Sequence, residues 1–397
     1  MRLYEFEGKH LFSKAKIPVP DGHLATSAEE VYQIASNLDR PVAIKSQVLT
    51  GGRGKAGGIK LADGANEART VAEELFALKI KGFPVTMVLV EPRLTIQREY
   101  YIGVTIDRAN YKLAVIASGE GGVDIEETAA NSPDKIVRTS LSVHEPLYTF
   151  EAMGIAKKIG IPQEQIKPAA AIIVSLFNLF KKYDAKLVEI NPLVLTDENK
   201  LIAADSRVSL DDDALFRHPE LAEMGIEKRH EEGEMTPREQ KATEWGIPYL
   251  DLDGNIGMFP GGAGFGIMGN DFIHYYGGKP ANFMDSGGGP SPERIAKMLV
   301  LLDENPNVKA IFGARFGGIS RCDDFAKGVV MFLKDHGLSK PMVMRMTGNM
   351  WQEGVRIFEH AKAENPRLFE HIEFHGIETE IEEISRRAVE LAEEGGR

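Results

Sequence analysis

One cysteine, Cys322, stands in 397 residues. A single thiol forms neither an internal disulfide nor a cysteine-built zinc site. No apolar run approaches about 18 residues, so no transmembrane helix is predicted. The mixed, charged opening MRLYEFEGKH has no apolar stretch of the kind a secretory signal needs. Low-complexity tracts are also missing. Positive charge is in deficit: 47 Lys and Arg against 59 Asp and Glu give a formal net charge of −12. An acidic chain is a poor general binder of nucleic acid or anionic membranes. These deficits point to a reducing, cytoplasmic compartment, with any anion site built as a local concentration of donors.

What is present is an ordinary globular balance, 43% apolar and 27% charged, at a length that suits two or three domains. Helices are predicted over 4–15 and 28–38, the second behind a Thr26-Ser27 N-cap. Strands follow at 40–48, 58–62 and 85–91, with a helix at about 66–79 between the last two. A hairpin spans 99–118, turning at Arg108-Ala109-Asn110. Helices at 148–159 and 165–182 lead to a second hairpin over 186–205.

Between the strands at 40–48 and 58–62 lies KSQVLTGGRGKAGG (45–58), five glycines with two lysines and an arginine. The spacing is not that of a Walker loop, because Leu49 and Ala56 stand where glycine and Ser/Thr are required. Gly52, Gly54 and Gly57 do match G-x-G-x-x-G. A strand follows them, however, where a dinucleotide fold needs a helix. Strand, glycine loop, strand describes instead a hairpin lid over a polyphosphate. Glycines let backbone N–H groups approach oxygen anions, and Lys45 and Arg53 add charge.

The hairpin at 186–205 yields a metal-site expectation. A turn centred on Glu198 pairs residues whose numbers total 396, which sets Asn191 opposite Asp205. Glu189, two residues before Asn191, faces the same side. An amide oxygen and carboxylates converging within apolar strands suit Mg²⁺, which takes hard oxygen ligands and completes its shell with substrate phosphates.

After the polar stretch 228–243, a boundary is expected near 240, giving domains 1–240 and 241–397. Four strand–glycine loop–helix units follow, with strands at 255–259, 280–285, 308–313 and 341–346. That rhythm predicts a doubly wound parallel sheet with ligands beyond the strand C-termini. Ser320 to Asp323 reads as a capping box opening a helix at about 321.

GGRGKAGG, EGGVDIE (120–126), EINPLV (189–194), DALFRHPEL (213–221), LDGNIG (252–257), GGKPANFMD (277–285) and FGGISRCDDFAKG (316–328) together resemble the β subunit of succinyl-CoA synthetase, in order and over nearly the whole chain. The resemblance implies an α/β protein, an N-terminal ATP-grasp domain followed by a flavodoxin-like CoA-ligase domain. It implies ATP and Mg²⁺ as cofactors, and an acid–CoA ligase activity shared with an α subunit that carries a phosphorylated histidine and the CoA site. By the same resemblance Lys45, Gly52, Arg53, Gly54, Glu91 and Glu99 contact nucleotide, Glu91 at an adenine hinge. Asn191 and Asp205 hold Mg²⁺, and Glu189 attends the phosphohistidine. Gly261, Gly262, Gly318, Ile319 and Ser320 surround the small carboxylic acid. His144, His218 and His274 read as packing or surface residues, in keeping with a histidine supplied in trans.

The chain departs from the family near the acid loops. Gly261 replaces an asparagine, Ser286 replaces a valine, Ala314-Arg315-Phe316 stands where the family reads Asn-Ile-Phe, and RMTGNMW (345–351) replaces an RLEGTN-like run. Lost side-chain volume and an added cation predict a larger or more highly charged acid. Citrate, as in citryl-CoA synthetase and ATP-citrate lyase, is the alternative to succinate.

Overall fold

The structure, a computed structural model, describes residues 1–50, 52–122, 125–227 and 235–394. The chain divides into two compact units, Met1–Glu234 and Met235–Arg397. This is slightly earlier than the boundary read from the sequence. Helix Pro237–Glu244 joins the second unit because Thr236 caps it and Arg238 grips Asp251 at 3.1 Å. The first part of the expected linker, 228–234, lies outside the described residues. Among the described residues no helix is long and apolar enough to cross a membrane.

Among the described residues the first unit contains two large sheets, antiparallel throughout, and a two-stranded ribbon pairing Lys79–Ile80 with Phe83–Pro84. One orders His23–Ala25, Val88–Pro92, Val42–Ser46 and Ile59–Ala62. Helices Ala28–Leu38 and Ala65–Phe76 cover one face, where Val42, Ile44, Val88 and Val90 are buried. The strand period of two then turns Lys45 and Glu91 to the opposite face. Ser27 caps the first helix, accepting from the Glu30 N–H at 3.2 Å, as the sequence predicts. The glycine stretch indeed joins two antiparallel strands, Lys45 pairing with Ile59, and opens no helix.

The other sheet orders Leu201–Ala203, Ala185–Thr196, Ile96–Asp107, Lys112–Ser118 and Ile136–Leu141, with Arg207–Leu210 also paired to Ala185–Thr196. Helix Ile166–Lys182 packs on it. Ile173, Leu176 and Phe177 are fully buried there, each worth about 2 kcal/mol of apolar burial. Strands His23–Ala25, Ile136–Leu141 and Arg207–Leu210 were not anticipated. They are short, and their apolar patterning is weak.

The second unit is built on a parallel sheet ordered Ile256–Pro260, Ala310–Gly317, Met342–Gly348 and Ile372–His375. Residues alternate between two cores. Ile311 joins Phe259, Phe325 and Met344 on one side, while Ala310 and Phe312 join Met258, Ile273 and Ile384 on the other. The sheet is thus covered on both faces, as doubly wound folds require.

One expected strand is corrected. Asn282–Met284 pairs antiparallel with Tyr249–Asp251 and meets the parallel sheet through a lone Ile256–Pro280 bridge. Beyond that bridge the Asn282 side chain replaces the ladder. Its amide accepts from Met258 N at 2.8 Å and donates to Met258 O at 3.0 Å, fully buried. The fourth parallel strand is Ile372–His375, which sequence patterning did not reveal.

Candidate active site

Six charged side chains meet in the first unit. Glu5 and Lys9 lie one turn apart on helix Glu5–Lys14. Lys45 and Glu91 come from neighbouring strands. Glu91 sits opposite Ala43, and Lys45, two residues further on, shares that face. Arg53 comes from the glycine flap and Asp205 from beyond the second sheet's edge strand. Lys9 Nζ is 2.8 Å from Glu5 and 2.5 Å from Glu91; Lys45 Nζ is 3.1 and 2.8 Å from the same two. Both ammonium groups also donate to the Ala204 carbonyl, at 2.8 and 2.6 Å. Arg53 reaches Glu5 at 2.9 Å and Asp205 at 3.0 and 3.2 Å.

Three cations face three carboxylates, so the group is neutral as a whole. Burial opposes ionisation of Glu5, but Lys45, Lys9 and Arg53 outweigh it and hold its carboxyl well below the usual glutamate range. Burial pulls Lys9 down against its carboxylates. For Lys45, burial is overcome by Glu5, Glu91 and Asp205, which raise it. Asp205 is pushed up by burial and by Glu5, against the pull of Arg53. In the flap, Gly52 and Gly57 take φ of 79° and 74°, the left-handed conformation that favours glycine.

The hairpin register keeps the total of 396. Leu193, Val194 and Leu195 pair with Ala203, Ile202 and Leu201, and Glu189 pairs with Arg207 beyond. Between these two ladders is a gap at Asn191-Pro192, where proline has no N–H to offer and its carbonyl accepts from Ala204 N at 3.0 Å. Asn191 and Asp205 occupy that gap. Asn191 Oδ1 accepts from Gly122 N at 2.8 Å, and its side chain also bonds Glu189. Glu99 lies beside Gly122, where a Cβ would meet its carboxylate at 2.6 Å. Glu189 is buried between Arg207 at 3.8 Å and the Tyr101 hydroxyl. Gly103 permits this, since a Cβ there would sit 2.6 Å from Tyr101 Oη. Burial raises the Glu189 carboxyl, opposed by Arg207 and Asn191 and reinforced by Asp205 and Glu126.

In the second unit, glycine loops gather at strand C-termini. Gly261 and Gly262 follow Ile256–Pro260. Gly318, Ile319 and Ser320 follow Ala310–Gly317, and the Ile319 side chain is exposed. Ser320 is not the N-cap the sequence suggested. The helix begins at Cys322 with Arg321 as N-cap. Ser320 Oγ instead accepts from Gly289 N at 2.9 Å and donates to Gly287 O at 3.4 Å, tying two loops together. Asp323 is taken by Arg321 and Lys327. Cys322 is buried and donates to Thr347 O.

Of the expected residues, Lys45, Arg53, Glu91 and Asp205 converge, and Asn191, Glu189 and Glu99 form a neighbouring group. The Glu91 carboxylate, which the resemblance places at an adenine hinge, is held by Lys9 and Lys45. Glu5, Lys9, Tyr101 and Arg207 were missed. The hairpin total points to Arg207 opposite Glu189, and the four-residue spacing of Glu5 and Lys9 marks a shared helix face. Nothing in the local sequence signals Tyr101.

An ATP-grasp domain family matches residues 2–195, and a CoA-ligase family matches 259–375. The chain is 44% identical to succinate–CoA ligase [ADP-forming] subunit beta 2 of Archaeoglobus fulgidus, over 99% of this chain and 100% of that one. It is 41% identical to the GDP-forming subunit beta of Thermus thermophilus, over 90% and 93%. In fold it resembles ATP citrate lyase from Methanothrix soehngenii solved with citrate and coenzyme A, with a TM-score of 0.69 at 20% identity and 99% coverage of both chains. With two domain families in sequence and such identity along the full length, the chain belongs to the succinate–CoA ligase β-subunit family of ATP-dependent acid–thiol ligases.

Proposed function

We propose that this chain is the β subunit of a succinate–CoA ligase-type enzyme that phosphorylates a histidine on a partner α subunit, passes the phosphoryl group to a carboxylic acid, and so prepares the acid for CoA. The observation that carries this reading is the meeting of flap and ribbon, with Arg53 Nη2 donating to both carboxylate oxygens of Asp205 and Arg53 sharing Glu5 with Lys45.

Lys45, Arg53 and the Gly52–Gly54 backbone would hold the triphosphate, with Glu91 and Glu99 framing the nucleotide. The donor set suits Mg²⁺. Asp205 supplies a carboxylate and Asn191 an amide oxygen, and among the described residues no cluster of three or more His, Cys, Asp or Glu side chains could hold an ion unaided. A two-oxygen protein site is what Mg²⁺ uses when phosphates complete its shell. Bound there, the ion would neutralise phosphate charge. Arg53 would then turn from Asp205 toward phosphate oxygens.

Glu189, ionised, would accept a hydrogen bond from the imidazole N–H of the incoming histidine, leaving the other nitrogen free to attack the γ-phosphorus as ADP departs. In the second unit the loops at Gly261-Gly262 and Gly318–Ser320 would present the acid. Its carboxylate oxygen takes the phosphoryl group and frees the histidine. The CoA thiolate then attacks the acyl carbon and phosphate leaves with the electron pair of the C–O bond.

Succinate is the leading acid. Citrate remains the alternative raised by the departures in sequence, although the space freed by Gly261 is filled by Arg315, whose Cδ would lie 2.7 Å from a Cβ at 261. The test is co-purification with the α partner, followed by rates with succinate, malate and citrate. Asp205→Ala should abolish Mg-dependent phosphorylation of the partner while the subunits still assemble. Persistent phosphorylation removes Asp205 as the metal ligand.

A further inference from the structure

Arg315 is 1% exposed, on the apolar face of the parallel sheet. Its guanidinium lies 5.2 Å over the Phe325 ring, and Nη1 donates to Ser286 Oγ at 3.1 Å. Nε and Nη2 are buried and have no hydrogen-bond partner among the described residues. Among the described residues no carboxylate pairs with it. These two nitrogens form one edge of the planar guanidinium, the edge that grips a carboxylate with two parallel hydrogen bonds. The same chain uses that edge elsewhere. Arg238 holds Asp251 by Nε and Nη2, both at 3.1 Å, and Arg321 holds Asp323 at 2.9 and 2.8 Å. A cation this buried, with that edge unmatched, is costly. The loops around it are built to keep it. Gly261 has no Cβ to strike Arg315 Cδ, and Ser286 connects it through Gly287 O to Ser320.

We infer that Arg315 is a specificity-determining residue that receives, on its Nε–Nη2 edge, a carboxylate of the acid substrate other than the one being activated. The inference rests on the ligase reading above, and the acid class it selects is di- or tricarboxylic. Succinate and butyrate, which differ in one terminal carboxylate against methyl, are the discriminating pair.

The experiment uses the complex with its α partner. Wild type and Arg315→Met are compared in kcat and KM for succinate, malate, citrate and butyrate, with ATP-driven phosphorylation of the partner as the folding control because no acid takes part in it. In Arg315→Met the preference for the best polycarboxylate over butyrate should fall by about ten- to hundredfold, chiefly through KM. Arg315→Lys, which keeps the charge without the planar fork, should recover part of it. If Arg315→Met does not assemble, Arg315→Lys and Gly261→Ala, whose Cβ displaces Arg315, are read in the same way. A preference within about threefold of wild type in variants that still phosphorylate the partner overturns the inference and leaves Arg315 as packing over Phe325. A wild-type complex that joins none of these acids to CoA overturns the ligase reading instead.

Discussion

Replacing Glu5 by glutamine removes one carboxylate from three cations without changing side-chain volume. The Glu5 side chain is fully buried, with Lys9, Arg53 and Lys45 at 2.8, 2.9 and 3.1 Å. At an effective dielectric constant of about 20, each pair at ~3 Å is worth about 5 kcal/mol of gross attraction. Desolvation of the ions, several kcal/mol each, offsets most of this. Breaking a buried pair from one side nets about 3–5 kcal/mol, because the orphaned cations stay buried. That is the expected loss of stability in the first unit at pH 7.5.

The pH dependence has a fixed sign. The folded carboxyl titrates below the usual value of 4.5, so its contribution is complete above that value and is lost as pH falls toward the folded one. The gap between wild type and Glu5→Gln should therefore be flat from pH 7.5 to about 5 and shrink below about 4.5. Urea denaturation followed by far-UV ellipticity measures it. Both tryptophans, Trp245 and Trp351, lie in the second unit, so their emission reports that unit separately. A gap under about 1 kcal/mol at pH 7.5, or one that persists unchanged to pH 3.5, would refute the electrostatic account.

Glu189 should titrate above the ordinary glutamate range, so phosphorylation of the partner should fail on the acid side at a pH higher than an exposed carboxylate would set. Arg207→Leu, by removing an opposing cation, should move that limb further up. In stability the sign reverses: Glu189→Gln should be stabilising near neutrality, since the folded site disfavours the ionised form, and an unchanged melting temperature would count against a raised carboxyl. Asn282→Leu strips both hydrogen bonds from Met258, which should cost the second unit on the order of 2–6 kcal/mol for two buried backbone groups left unpaired. Tryptophan emission in urea is the readout, and a loss below about 1 kcal/mol would mean water or the backbone replaces the amide.

Much of the fold was legible because its signals are local. The alternation of apolar residues revealed the Val42–Ser46 and Ala185–Thr196 strands, and their turn chemistry fixed the hairpin total that sets Glu189, Asn191 and Asp205 along one ribbon. The pairing of Glu91 with Lys9 was not legible, because the two lie far apart in sequence. Ser320 looked like a helix cap by spacing alone, yet a neighbouring loop offered it the Gly289 N–H. Asn282 reads as an interior strand residue, and no pattern of hydropathy announces a side chain that stands in for a strand. Arg315 was visible as an added cation, but its complete burial follows from the tertiary packing of Phe325 and Gly261.

The close approach of residues 261 and 315 also ties the two positions to each other. A Cβ at 261 would press within 2.7 Å of Arg315 Cδ, so any side chain placed there has to move the arginine stem out of its seat over Phe325. Substitutions at the two positions should therefore be non-additive, and neither can be redesigned without regard to the other.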